Sequence, residues 1–155
     1  AETFALVILP CNTYSTFTPP ARRQLLANVA RYLHPGGVFA VSIPNPTLLK
    51  RLPAESAPEP ELSFLHPDDG NPVQVSSAWQ RAAQTLTLIY HYDHLLPDGT
   101  AQRLTVTSNH QLSPPAAYIQ EMQAEGFTIE QTLGGFDSSE YRVDSPHLIL
   151  SLIHI

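Results

Sequence analysis

Phe4-Ala5-Leu6-Val7-Ile8-Leu9-Pro10-Cys11-Asn12-Thr13 is the stretch whose reading decides the fold. Its first six residues form a continuous apolar run with β-branched members. That is the pattern of a strand buried on both faces, in a parallel sheet covered by helices. Pro10 to Thr13 bring turn-forming and polar residue types to the C-terminal end of the strand, the edge where open α/β sheets bind ligands. Nothing ahead of this strand can pair with it, which predicts a chain that begins in the middle of a domain.

Outward from there, Thr18-Pro19-Pro20-Ala21 reads as a helix start, with Thr18 as cap and proline where no donor is needed. Leu25, Leu26, Val29 and Leu33 recur at helical spacing, while Arg22, Arg23, Asn28 and Arg31 fall mainly elsewhere on the wheel. Pro35-Gly36-Gly37 is expected to stop the helix and turn the chain into a second buried strand, Val38 to Ile43. Strand, helix and strand with short joins make a parallel crossover unit. From Leu52 to Pro72 the composition shifts to Pro, Glu, Ser and Asp, and an irregular surface excursion is expected. The period then changes to alternation in Val73 to Ser76, Thr85 to Tyr92 and Leu104 to Thr107, which predicts a three-stranded antiparallel meander. Ser113-Pro114-Pro115-Ala116 starts a helix running to Glu125, with Gly126 as a left-handed cap. Phe127 to Leu133 and His147 to Leu152 are strands around a polar loop, Gly134 to Asp144.

The chain has 155 residues, 43% of them hydrophobic, enough for one ordinary domain with a sizeable core. Net charge is −6 with only eight Lys and Arg, so nucleic-acid phosphate is repelled and a nucleic-acid partner is not expected. The single cysteine, Cys11, excludes an internal disulfide and fits a reducing cytoplasm. No run approaches the roughly 18 apolar residues of a membrane span, and no membrane partner is expected. The 15 prolines fall mostly between apolar runs and read as punctuation.

The order of buried strand, helix, Leu33-His34-Pro35-Gly36-Gly37, buried strand, antiparallel insertion, helix, Ala124-Glu125-Gly126-Phe127, strand, loop and strand resembles something specific. It is similar to the C-terminal half of a class I S-adenosylmethionine-dependent methyltransferase. Gly134-Gly135-Phe136-Asp137 resembles the loop before the last strand of its small-molecule members. The resemblance covers nearly all of the chain. It implies the C-terminal part of a Rossmann-like, doubly wound α/β sheet with an antiparallel insertion and an antiparallel last strand. It also implies one partial domain: a strand-helix-strand core over 1–46, the excursion and insertion over 47–112, and a helix with the last two strands over 113–155.

Phe4 to Leu9 would then be the fourth strand of seven. The family's glycine-rich cofactor turn and the acidic residue for the ribose hydroxyls are absent from this sequence, and the usual Asp near the start of the fourth strand is Ala5. The resemblance implies S-adenosylmethionine as cofactor and a small-molecule methyl acceptor as partner for the complete parent, with the chain inactive alone. By the same resemblance Pro10, Cys11 and Asn12 lie near the cofactor, with Thr13 and Tyr14 toward the substrate, although Asn12 and Thr13 could equally satisfy turn backbone. The insertion would form the substrate lid.

Other candidates come from the residues themselves. Asn45, after the second strand, reaches the same sheet edge and is a substrate-binding candidate, but Pro44 and Pro46 favour a structural turn. Cys11 has no base or cationic cluster near it in sequence and reads as a small residue packed at the strand end. His91 is a candidate acid/base supplied by the insertion, with Trp79, Tyr90 and Tyr92 as possible pocket lining. The spacing of His91 and His94 invites a metal, yet residues three apart on a strand point to opposite faces, so no metal site is expected. No catalytic residue is assigned, and the oligomeric state stays open. The alternatives are a non-catalytic binding domain on a Rossmann-like fold and, less in keeping with the element order, a nicotinamide-dependent enzyme.

Overall fold

The computed structural model describes residues 2–154. The chain divides into two compact units, Ala1–Arg51 with Gln111–Ile155, and Leu52–His110. In the first, β1 (Phe4–Leu9) and β2 (Leu33–Pro44) pair in parallel and are joined by α1 (Pro19–Tyr32). After α2, a single turn over Pro46–Leu49, this unit resumes with α3 (Pro115–Ala124) and two further strands. The inserted strands of the other unit are β3 (Glu59–Leu65), β4 (Pro72–Arg81), β5 (Thr85–Leu95) and β6 (Ala101–Gln111), and the closing pair of the first is β7 (Phe127–Leu133) and β8 (His147–His154). The first sheet has the order β1-β2-β8-β7, with β8 antiparallel to both of its neighbours.

The helix starts differ in detail from expectation. Thr18 makes no side-chain cap, because Pro19 and Pro20 occupy the first helical positions and remove two of the amides a cap would serve. β2 begins at Leu33, so Pro35-Gly36-Gly37 lies inside the strand assignment as an irregular lead-in; Gly36 has φ +74° and the β1 register shifts between Phe4 and Leu6. Gly126 follows α3 at φ +87°, the left-handed cap position expected.

The core lies on one face of this sheet. Phe39 pairs with Leu152, Val41 with Leu150 and Ile43 with Leu148, and all six are buried. Leu26 and Val29 of α1 and Tyr118 and Met122 of α3 pack into the same cluster. Both helices therefore cover one side. On β1, Val7 and Leu9 pair with Phe39 and Val41 and join the core, whereas Leu6 and Ile8 point the other way and are 51% and 59% exposed. The expectation of burial on both faces of β1 is corrected accordingly. β1 is an edge strand, and no helix among the described residues covers its second face. No helix among them is long and apolar enough to cross a membrane.

The other unit is an antiparallel sheet ordered β3-β4-β5-β6. It has four strands and not three, because Glu59–Leu65 pairs with β4 instead of remaining irregular. Pro60 is tolerated there since β3 is an edge strand with a register shift beside it.

Candidate functional site

At the C-terminal end of β1 the chain makes an unusual turn. Cys11 and Asn12 are consecutive non-glycine residues with φ of 59° each, both left-handed. Asparagine tolerates that region through its short polar side chain; cysteine has no such excuse, and strain of this kind collects where structure over-determines the backbone. The over-determination is visible. The Thr13 amide and hydroxyl both donate to the Pro10 carbonyl, at 3.3 and 2.9 Å, and the Ser15 hydroxyl donates to the Asn12 carbonyl at 2.8 Å. Thr16 repeats the device on Thr13 at 2.7 Å. A short 3-10 turn, Thr13–Thr16, results and packs against β2. Cys11 is exposed, not packed at the strand end, because the left-handed turn carries it away from the sheet.

Tyr14 is wholly buried and faces the interior. Its ring meets that of Tyr118 edge-on at 5.8 Å, and the Arg22 guanidinium lies 5.6 Å from its centroid and 4.9 Å from that of Tyr118. The Tyr14 hydroxyl has no partner at hydrogen-bonding geometry. Burial first, and then the nearby Glu121 charge, push its phenol far above the usual value, so it stays protonated.

Arg22 itself is fully buried, contrary to its expected place off the apolar face. Residues 22, 26, 29 and 33 share one face at helical spacing, and Arg22 is its first member. Its Nε and Nη2 both donate to the Glu121 carboxylate at 2.6 Å, Nη1 donates to the Phe17 carbonyl at 2.8 Å, and Nη2 also reaches the Ser113 hydroxyl at 3.3 Å. One side chain thus ties α1, α3 and the end of the β1 turn together. Burial works against its charge, but the bonds and the charge of Glu121 outweigh that and raise its pKa.

Asn45 follows β2 and is 1% exposed. Its Oδ1 accepts from the Thr47 amide at 2.9 Å and from the Tyr141 hydroxyl at 3.1 Å, and its Nδ2 donates to the carbonyls of Val143 and Ser145 at 3.1 and 2.7 Å. Every polar atom of the amide is engaged within the fold, which is the structural-turn reading of this residue. Beside it, Pro46, Thr47, Lys50, Pro114 and Pro115 line a cleft of about 140 Å³, below the ~300–1,000 Å³ of ligand cavities.

In the antiparallel unit, register separates residues that the sequence reading grouped. Val75 pairs with Tyr92, Ser77 with Tyr90 and Trp79 with Leu88, so Trp79, Tyr90 and Tyr92 share a face. His91 pairs with Ser76 on the other face, where its Nδ1 meets the Thr105 hydroxyl at 2.9 Å. Trp79 donates its indole N–H to the Pro53 carbonyl at 3.2 Å. The first face carries a cavity of about 460 Å³ lined by Phe64, Val73, Tyr92 and Leu104, with His66, His94 and Arg103 as polar groups. Phe64, in β3, and His66, just after it, were missed because this stretch was read as irregular. His94 was legible, sharing the parity of Tyr90 and Tyr92.

No protein-family model and no curated protein matches the sequence. Solved structures are similar in fold. An S-adenosylmethionine-dependent methyltransferase from Clostridium acetobutylicum superposes with a TM-score of 0.80 at 11% identity, over 99% of this chain and 59% of that one. A sugar N-methyltransferase from a Streptoalloteichus species gives 0.75 at 16% identity, over 99% and 57%. An amino pentose methyltransferase from Micromonospora echinaspora, with S-adenosylmethionine bound, gives 0.64 at 13% identity, over 99% and 59%. The chain therefore carries the Rossmann-like methyltransferase fold expected from its sequence. It spans 57–59% of the length of these structures.

Proposed function

We propose that this chain is the C-terminal part of an S-adenosylmethionine-dependent methyltransferase acting on a small molecule. The observation that carries the reading is the strained Cys11-Asn12 turn, placed at the C-terminal end of a parallel strand in a sheet of methyltransferase order. Open α/β sheets bind ligands at that edge. When bound, S-adenosylmethionine supplies an electrophilic methyl group, and the protein's task is alignment. Pro10, Cys11 and Asn12 offer backbone and short side chains at the cofactor position, and Thr13 is the next residue toward an acceptor. Tyr14, a candidate for substrate contact, and Asn45, for which a structural turn was favoured, both hold the edge in shape from within the fold.

The free edge of β1 and the exposed side chains of Leu6 and Ile8 support a larger sheet in the whole protein, whose further strands and helices bring the rest of the cofactor site. Calorimetric titration with S-adenosylhomocysteine tests this. The chain alone is expected to give no saturable binding, and micromolar binding by it overturns the division of the site. The complete protein is expected to bind, with Asn12→Val weakening binding by about tenfold through the cost of its left-handed backbone. The burial of Tyr14 and the internal hydrogen bonds of Asn45 favour a second reading, a binding domain without catalysis. It is separated by transfer of labelled methyl to small-molecule acceptors, which binding alone does not produce.

A further inference from the structure

We propose that His66, Asp69 and His94 form a binding site for a first-row divalent transition metal such as Zn²⁺, open on one side to the cavity of the antiparallel unit. The three come from separate places: His66 follows β3, Asp69 lies in the turn before β4, and His94 is near the end of β5. Their ligand atoms all lie within 4.8 Å of one another. His94 Nε2 is 3.0 Å from Asp69 Oδ2, and His66 Nδ1 is 3.5 Å from Asp69 Oδ1. Ligands about 2.0–2.1 Å from a tetrahedral Zn²⁺ stand about 3.3–3.4 Å apart, so the two separations from Asp69 are close to those of a coordination shell. The two rings stack at 4.5 Å between centroids and 18° between planes. Convergence of both lone pairs on one ion requires one imidazole to turn about its Cβ–Cγ bond.

The scaffold suits that role. The Asp69 carboxylate is held by the Asn71 amide at 3.0 Å, and the turn is closed by His66 N–H to the Asn71 carbonyl at 2.8 Å and Gly70 N–H to the His66 carbonyl at 2.9 Å. Two imidazoles and one carboxylate make a donor set for Zn²⁺, Co²⁺, Ni²⁺ or Fe²⁺, not for Mg²⁺ or Ca²⁺. Three protein ligands leave a fourth position. His66 and His94 also line the cavity of about 460 Å³, so a water or a ligand heteroatom entering it can take that position. This site is distinct from the His91–His94 spacing considered in the sequence, since His91 faces the opposite side.

The test uses the tag-free protein titrated with Zn²⁺, and with Co²⁺ as a spectroscopic substitute. One equivalent of Co²⁺ is expected to give the visible absorption of a four-coordinate site, displaced by Zn²⁺. His66→Gln, His94→Gln and Asp69→Asn are each expected to weaken binding by about tenfold or more, and His91→Gln to leave it unchanged. Zn²⁺ is also expected to raise the thermal midpoint of the wild-type protein and not of His94→Gln. Folding of each variant is confirmed by circular dichroism before titration. Absence of saturable Zn²⁺ binding up to about a millimolar overturns the proposal, as does binding by His66→Gln and His94→Gln as tight as that of the wild type.

Discussion

Removing the Glu121 carboxylate while leaving Arg22 in place strands a cation that has no route to water. Arg22 is fully buried, whereas Glu121 is 29% exposed at its side chain, so the two halves of the pair are unequal. Glu121→Ala deprives Nε and Nη2 of their 2.6 Å partners and leaves only the Phe17 carbonyl and the Ser113 hydroxyl. Breaking a buried pair in this way costs about 3–5 kcal/mol. Arg22→Met leaves a carboxylate that water reaches and a few unpaired acceptors, a loss of about 1–3 kcal/mol. The double variant Arg22→Met/Glu121→Leu removes both charges and is expected within about 2 kcal/mol of wild type, well short of the summed single losses.

Urea unfolding followed by the far-UV helix signal reads this cleanly, because α1, α2 and α3 all belong to the unit that contains the pair. With an m-value near ~2 kcal/mol/M, Glu121→Ala should shift the midpoint by about 2 M. The reasoning is refuted if Glu121→Ala is no more damaging than Arg22→Met, or if the double variant equals the sum.

Asn45→Ala, which deletes two accepted and two donated hydrogen bonds, should lose about 2–4 kcal/mol in the same assay. Asn45→Asp should do no better, since a carboxylate would face the carbonyls of Val143 and Ser145. At the β1 turn, Asn12→Gly should be neutral or stabilising and Asn12→Ala should cost about 1 kcal/mol, read as thermal midpoints; equal midpoints would remove the claim of left-handed strain. Burial holds the His110 pKa below its ordinary 6.5, so the unfolded chain takes up that proton first as pH falls. Stability should therefore drop as pH passes from 6.5 toward the depressed folded value, and His110→Gln should flatten that part of the urea-midpoint profile relative to wild type.

Periodicity made most of the first unit's sheet legible. β1, the apolar part of β2, α3, β7 and β8 fall where the apolar spacing puts them, and their order was enough to indicate the fold although the matched structures share only 11–16% identity. Which face of β1 is covered was not legible, because that depends on both helices packing on the same side of a sheet. Arg22 was misplaced for a different reason: its charge hid its position on the buried face, and its compensation lies 99 residues away in Glu121. β3 was lost behind Pro58 and Pro60, although Leu62 and Phe64 alternate as an edge strand does. At the candidate site the turn after β1 was foreseen, but the inward course of Tyr14 and the full engagement of Asn45 rest on partners distant in sequence. The same holds for the Asp69–His94 contact, 25 positions apart.

The discontinuous course of the first unit sets an order in time. β3 to β6 are sequence neighbours that pair with one another, so this sheet can close as soon as it has left the ribosome. β2 cannot: its neighbour β8 comes about a hundred residues later, as the 100-position bond between Asn45 and Ser145 records. At about 5–20 residues per second, Phe39, Val41 and Ile43 wait roughly 5–20 s for the strand that completes their layer. During synthesis the inserted sheet is therefore the early-folding part, and β2 is the strand that must be kept from wrong partners.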